Sequence, residues 1–386
     1  MRVIVVGSGI GGLTAAIALR RVGIAATVYE RAPALGEVGA GISLWANAIR
    51  ALEHLGAADP VKAASLPMTR SDFRVSDGHR VVARYASDDL AKRAKADSIV
   101  RIIHRADLVA ALAGQLPPGT VKYGHECAAV ATVGDRATVR FTNGHTDEAD
   151  VIVGADGIKS VVRIAVIGSN EPPRYAGYTC WRGVCPRPAS LPAGQTGEWW
   201  GRGLRFGITC LPGDRVYWYA TANAPQGERG DEAATLAARF RDWAEPVPEL
   251  IVTTPPAAIL RNDLVDRKPN PRWVSGRLVL IGDAAHPTTP NLGQGGCMAI
   301  EDAVVLARHL RTDVPIPDRL AAFAAERFPR TTAINRESWK LGAMGQWRGR
   351  VSCWFRNRLM GMMLPLFGAT MMAKHAKFDV GPLPAT

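Results

Sequence analysis

Cysteine is scarce and dispersed in this chain: six residues, Cys127, Cys180, Cys185, Cys210, Cys297 and Cys353, in 386. That is too few and too scattered for a disulfide framework, so reduced thiols are expected. The eight histidines include no pair at metal-binding helical spacing, which argues against a zinc enzyme. Met1-Arg2 runs straight into Val3-Ile4-Val5-Val6, without the basic segment, apolar core and small-residue cleavage site of a leader, and the expected location is the cytoplasm. Gly (39) and Pro (26) are ordinary for the length, which excludes collagen-like and low-complexity chains. What remains is 47% hydrophobic, 21% charged and 7% aromatic, a composition incompatible with wholesale disorder. At ~100–200 residues per domain, two or three structural units are expected.

A net charge of +12 invites a nucleic-acid reading. From Arg330 onward, however, nine Lys or Arg stand against only Glu337 and Asp379, so over half the excess sits in a C-terminal appendage. No interleaved aromatic and basic motif accompanies it, and nucleic acid is not an expected partner.

The first thirty residues read as strand, Gly-rich turn, helix and strand: a β-branched run at 2–6, helical composition at 13–21, and a second strand at 26–30. This is a βαβ unit with a parallel pair. Apolar runs at 150–153 and 277–281 end in similar glycine and acid turns, each followed by a helix. Between them, residues 172–269 change to alternating stretches such as Arg205-Phe206-Gly207-Ile208-Thr209 and Arg215-Val216-Tyr217-Trp218-Tyr219, joined by Pro212-Gly213-Asp214, which predicts an inserted antiparallel sheet. After Pro329 the pattern is helical and basic.

Gly7-Ser8-Gly9-Ile10-Gly11-Gly12 satisfies G-x-G-x-x-G between a strand and a helix. Glycines there allow a tight turn and close approach of a pyrophosphate to the helix N-terminus, with Gly9, Gly11 and Gly12 as the candidate contacts. Glu30, 18 residues beyond Gly12 at the end of the second strand, can accept both ribose hydroxyls of an adenosine.

Two further motifs follow in order. Gly154-Ala155-Asp156-Gly157-Ile158-Lys159-Ser160-Val161-Val162-Arg163, and Gly282-Asp283-Ala284-Ala285-His286-Pro287 continuing to Pro290-Asn291-Leu292-Gly293-Gln294-Gly295-Gly296, resemble the second and third fingerprints of FAD-dependent aromatic monooxygenases of the para-hydroxybenzoate hydroxylase type. The details at residues 39–44, 175–181 and 293–303 are most similar to the branch holding zeaxanthin epoxidases and FAD-dependent urate and salicylate hydroxylases. The C-terminal tail departs most from that branch. The resemblance implies an α/β fold: a doubly wound, Rossmann-like FAD-binding sheet (residues 1–70, 98–171 and 270–330), an inserted antiparallel substrate-binding sheet (71–97 and 172–269) and a helical C-terminus (331–386). It also implies a monooxygenase that takes hydride from NAD(P)H and an oxygen atom from O2 and hydroxylates a small aromatic or heteroaromatic. Such a reaction needs a dry, shaped pocket rather than a metal or an acid–base triad.

Asp283, at a strand end, can accept hydrogen bonds from flavin ribityl hydroxyls. The glycine-rich start of the helix after Asn291, with Gly293, Gly295 and Gly296, favours the negative charge of a reduced flavin. By resemblance, Arg105 reaches the FAD phosphates or ribityl chain, while Arg31, Ser43, Asp156 and the backbone at Val130 are cofactor contacts. His286 reads as structural more readily than as a direct participant. Period-two alternation puts Arg205 and Tyr217 on defined strand faces, and both match the substrate-contacting Arg and Tyr of the urate-hydroxylase branch. They are the candidate catalytic pair, against a surface Arg and a core Tyr.

No second dinucleotide fingerprint exists, so NAD(P)H is expected to visit transiently. Cys180-x4-Cys185 has the spacing of a disulfide-reductase pair but lies far from the first βαβ unit, and the Trp-x-Trp-x-Ile-Pro signature of flavin halogenases is absent. A rival within the same fold is an epoxidase of a larger, isoprenoid-like substrate. A rival of another class is a non-catalytic flavin- or nucleotide-binding scaffold. A monomer or homodimer is expected. The uncharged, Met-rich run at 359–373 is too short for the ~20 residues of a spanning helix. With Pro365 and two glycines expected to break a long amphipathic helix, it reads as packing on the body or covering the pocket entrance rather than lying in a membrane interface.

Overall fold

The computed structural model describes residues 1–36 and 39–384. Its first sheet has six strands in the order Val274–Ser275, Leu278–Leu280, Val151–Gly154, Arg2–Val6, Ala25–Tyr29 and Val121–Lys122. The pairs are parallel except at the Val274–Ser275 edge. Central strands of such a sheet are covered on both faces and so need continuous apolar runs, and Val3, Ile4, Val5 and Val151, Ile152, Val153 are fully buried. The helices Ile10–Arg21 and Gly295–Leu310 pack on this sheet and on each other. A three-stranded antiparallel sheet (Cys127–Val133, Arg136–Phe141, Thr146–Ala149) flanks it.

The second large sheet has seven strands in the order Leu260–Asp266, Arg174–Pro186, Arg215–Asn223, Leu204–Leu211, Gln195–Trp200, Arg70–Val75 and Arg80–Ala86. All pairs are antiparallel except Gln195–Trp200 with Arg70–Val75, which joins strands about 125 residues apart. The hairpin at Pro212-Gly213-Asp214 forms where the sequence predicts it, with Leu211 opposite Arg215 and positive φ at Gly213 and Asp214. Opposed residues share a face, so the register fixes two sides. One carries Trp181, Phe206, Ile208 and Trp218 and is capped by the helices Glu232–Phe240 and Val247–Thr253. The other carries Cys180, Arg182, Glu198, Trp200, Arg205, Tyr217 and Tyr219. It turns toward the dinucleotide-binding part: the Tyr217 ring lies on the backbone of Gly41, in the short strand Gly41–Trp45.

Two long helices close the chain, Ile316–Gly345 and Arg350–Ala376. The second overturns the expectation that Pro365 breaks the tail, for it runs without interruption through that proline. Packing overrides local preference here. The Tyr85 hydroxyl donates to the Leu364 carbonyl at 2.7 Å, and a Cβ at Gly368 would lie 1.8 Å from the same hydroxyl, so the helix seats against the strand Arg80–Ala86 only because position 368 is glycine. Arg356, 1% exposed, donates to the Gly201 carbonyl at 2.7 Å.

Candidate active site

Three glycine turns that are far apart in sequence meet at the carboxyl ends of the central strands. Gly7 has φ +104°, and a Cβ there would lie 2.5 Å from the Ala155 carbonyl oxygen, so the first and second motifs are in backbone contact. A Cβ on Gly11 would meet that of Ala299 at 3.2 Å, which brings in the helix of the third motif. At Gly9 a Cβ would meet no atom within 4 Å. The helix Ile10–Arg21 has no side-chain cap and no acid in its first turn, so its N–H groups face open space, as a pyrophosphate requires.

Glu30 stands beside this turn. Ser8 donates to its Oε2 from both backbone N (2.8 Å) and Oγ (2.9 Å), and the Ala32 N–H donates to Oε1 at 2.9 Å. Burial alone would raise this carboxyl, but the Ala32 and Ser8 donors hold it below its ordinary value, so it is an anion poised to accept hydroxyls. Arg31 is exposed on the following loop. Replacing Glu30 with Ala is expected to weaken FAD binding roughly 10- to 100-fold, at ~1.5–3 kcal/mol for a hydrogen bond to a charged group. Fluorescence titration of the apoprotein reads this directly, and an unchanged Kd removes Glu30 from the site.

Asp156 Oδ2 accepts from the N–H groups of Val161 (2.8 Å) and Val162 (3.3 Å), while its Oδ1 is buried without a partner. Burial raises this carboxyl against those donors. A half-satisfied acid between a glycine turn and Cys127, at the start of the strand that carries Val130, is what a cofactor with hydroxyl or amide donors would complete. At the opposite end, the Asp283 side chain is open to solvent yet crowded by protein, which raises its carboxyl, with His286 and Arg105 acting the other way. Arg105 opens the helix Arg105–Ala113, and its N–H donates to Ala40 O at 3.0 Å. The helix Gly295–Leu310 begins without a side-chain cap or an acid in its first turn; Gly293 and Gly296 lie against Trp45 and Ile42, on either side of Ser43 in the strand Gly41–Trp45. The charge, the open N–H groups and the unpaired Oδ1 all fit an FAD along this groove.

Arg205 is not a surface residue: it is 2% exposed. One Nη donates to Asn291 Oδ1, in the third-motif turn, and the other lies 3.4 Å from Glu198 Oε1. Its Nε is buried without a partner. The two N–H groups of Asn291 Nδ2 are shared among Tyr178 Oη (3.0 Å), Thr289 Oγ1 (2.9 Å) and the Ser338 carbonyl (3.0 Å), tying the substrate sheet to the third-motif turn and the helix Ile316–Gly345. Tyr217 and Tyr219 stand side by side, ring centroids 6.3 Å apart, next to Arg182. Burial pushes both phenols above their ordinary range, so both remain protonated hydrogen-bonding groups. Burial likewise raises the Cys180 and Cys185 thiols, the opposite of what a redox pair needs.

Beneath this site lies an ion network that the motifs do not announce. His286 Nε2 lies 2.6 Å from Asp302 Oδ2, which also accepts the Gly282 N–H at 2.9 Å, and Arg327 Nε donates to Asp302 Oδ1 at 2.7 Å. Glu301 accepts from Asn47 Nδ2 (2.6 Å), Arg327 Nη2 (2.7 Å) and Arg330 (2.7 and 2.8 Å). Glu301, Asp302 and Arg327 are at most 1% exposed. The network fixes the Gly282–Ala284 turn, and Asp283 with it, so His286 acts on the site by positioning it. Its only sequence signal is the adjacent acid pair inside an apolar helix.

The family model described as FAD binding domain matches residues 1–338. An aurachin C monooxygenase/isomerase of Stigmatella aurantiaca is 42% identical over 366 residues, 94% of each chain. A 2-heptyl-3-hydroxy-4(1H)-quinolone synthase of Pseudomonas aeruginosa is 33% identical over 368 residues, again 94% of each. Among solved structures, Klebsiella pneumoniae HpxO complexed with FAD and uric acid superposes with a TM-score of 0.92 at 31% identity, over 100% of this chain and 98% of that one. The chain belongs to the FAD binding domain family and is an FAD-dependent monooxygenase.

Proposed function

We propose that this enzyme hydroxylates a fused heteroaromatic of the quinolone type that carries an apolar chain, with NAD(P)H and O2 as co-substrates. The observation that carries the reading is the division of one sheet face into a polar and an apolar half. Tyr217 lies against Gly41, with Tyr219 next to it and Arg182 opposite Tyr219 in the sheet. One strand further on, Arg205 pairs with Trp200, and from there Phe73, Val75, Leu341, Met344, Met360 and Leu364 make an apolar cluster. The ring oxygen and nitrogen of a quinolone suit the first half and a long chain suits the second. Two of the relatives are named for aurachin C and for a heptyl-bearing quinolone.

Bound FAD supplies the redox chemistry, passing electrons from NAD(P)H to O2 so that one oxygen atom enters the ring and the other leaves as water. The protein's part is placement. The two neutral phenols orient the ring by donating to its carbonyl oxygen or accepting from its N–H, and the unpartnered Arg205 Nε offers a charged donor to the same oxygen. Trp200 and its apolar neighbours exclude water.

The test is NAD(P)H oxidation by the purified flavoprotein with 2-alkyl-4-quinolones, urate and salicylate. Stimulation by the quinolones and a product heavier by one oxygen atom are expected; stimulation by urate or salicylate alone overturns the substrate class. Arg205→Ala should raise KM about tenfold or more, or divert reduced-flavin oxidation to peroxide, with FAD content retained. Unchanged KM and coupling in both Arg205→Ala and Tyr217→Phe would remove these residues from the substrate site.

A further inference from the structure

Nine of the eighteen exposed large apolar side chains among the described residues sit on one element, the tail helix Arg350–Ala376. They are not scattered. Val351, Phe355, Leu359, Met362 and Leu366 follow one another at steps of four, four, three and four residues, a single line along the helix about 20–25 Å long at 1.5 Å per residue. Val351 is 81% exposed, Phe355 57% and Leu366 70%. The opposite side is occupied: Cys353, Arg356, Met360 and Gly368 are buried against the body. The stripe therefore cannot turn inward to hide. Isolated apolar residues on a surface need no explanation, but a contiguous line of them does.

The surrounding charge identifies what covers it. Between Glu337 and Asp379 there is no acidic residue, while seven Lys or Arg occur. The exposed Arg348, Arg350 and Arg358 lie at one end of the stripe or on its rim, and Lys374 and Lys377 lie at the other end. Trp354 and Phe367, also exposed, add aromatic rings beside the line. Lys374 is paired with Glu337 of the preceding helix at 2.5 Å, but the helix itself carries no acid and the arginines at the other end have no such partner close by in sequence. Apolar and aromatic residues along one side with basic residues at the margins make up the pattern of a helix lying in a bilayer interface. No helix among the described residues is long and apolar enough to cross a membrane.

We propose that the outer face of this helix is a peripheral membrane-binding surface that seats the enzyme on an anionic bilayer. A second copy of the chain fits the same stripe poorly. In an isologous contact the patch meets itself, so the arginines would stand against arginines or lysines with no acid between them, whereas anionic headgroups neutralise them. The inner side of the same helix supplies Met360 and Leu364 to the apolar cluster beside Trp200, so a bilayer under the outer face would bring lipid-dissolved molecules within one helix diameter of that cluster.

The experiment is co-sedimentation of the full-length FAD-loaded protein with vesicles of phosphatidylcholine alone and of phosphatidylcholine mixed with phosphatidylglycerol, at low and high salt. Binding to the anionic vesicles, weakened by salt, is expected, with little binding to the neutral ones. The double variant Phe355→Glu, Leu366→Glu changes only exposed side chains and should keep its flavin absorbance, while its bound fraction falls by roughly tenfold or more. The proposal is overturned if the wild-type protein stays in the supernatant with anionic vesicles, or if the double variant binds them as the wild type does. It is also overturned if the protein is a stable dimer that this variant dissociates and neither form binds vesicles, which would assign the stripe to a second copy.

Discussion

Replacing Gly12 with Ala should weaken FAD binding severely and destabilise the fold, whereas Gly9→Ala should weaken FAD and leave the apoprotein as stable as before. The two glycines are three residues apart in the same turn, but they face different things. A Cβ at position 12 would lie 1.9 Å from the Gly7 carbonyl oxygen and 3.3 Å from the Ala155 side chain, so helix and strand would have to separate at the point where the first two motifs touch. Overpacking of this kind costs about 1–3 kcal/mol, and here the obstacle is backbone that cannot swing aside. The displaced turn would also lose the alignment of its N–H groups, and FAD affinity should fall by roughly a hundredfold or more. At position 9 a methyl group meets no protein atom within 4 Å, and its only possible collision is with whatever fills the groove. Urea unfolding of the apoproteins separates the cases: a midpoint shift for Gly12→Ala only, with weaker FAD binding for both. Equal midpoints would show that the close approach at position 12 is not limiting.

The parts that are legible in the sequence are encoded locally. The opening strand, glycine turn and helix are specified within thirty residues, and so is the hairpin 204–223, whose alternation and turn residues need no distant partner. The three fingerprints are legible because each is a strand end, a glycine turn and a helix start in one continuous stretch. What could not be read depends on contacts across the chain. Arg205 alternates as any strand residue does; that it is buried between Asn291, Glu198 and Gly345 follows only from docking the sheet on the third-motif turn. The seven-stranded sheet is likewise completed by a parallel pairing across about 125 residues. The continuity of the tail helix is hidden for the same reason: Pro365 argues for a break, and the partners that hold the helix together, Tyr85 and the Gly201 carbonyl, lie outside it.

The ion network under the third motif shows how far such a distant arrangement governs the site, and it sets the second large effect. Asp302→Asn keeps the shape but removes the charge that Arg327 and His286 share, and Arg327 is 1% exposed. Breaking a buried pair from one side costs about 3–5 kcal/mol, because the remaining charge stays in the low-dielectric interior. The Gly282–Ala284 turn would lose its anchor to the helix behind it, so Asp283 should shift and FAD should dissociate more readily. The wild-type protein should show the same dependence as pH falls. Burial works against ionisation of Asp302, yet His286 and Arg327 outweigh it and hold its carboxyl down to about 2. An unfolded Asp titrates near ~3.9. A carboxyl depressed on folding stabilises the protein above its unfolded pKa, and that stability is lost as pH falls through the folded value. The window is therefore about pH 4 down to 2, and the contribution at neutral pH is on the order of 2–3 kcal/mol. Circular dichroism and flavin fluorescence across this window should show FAD release and loss of structure in the wild-type protein. In Asp302→Asn the release should begin at higher pH and the Asp302 share of the pH dependence should be missing. A variant as stable as the wild type at neutral pH, with the same acid transition, would mean that Glu301 alone neutralises Arg327 and that Asp302 holds nothing in place.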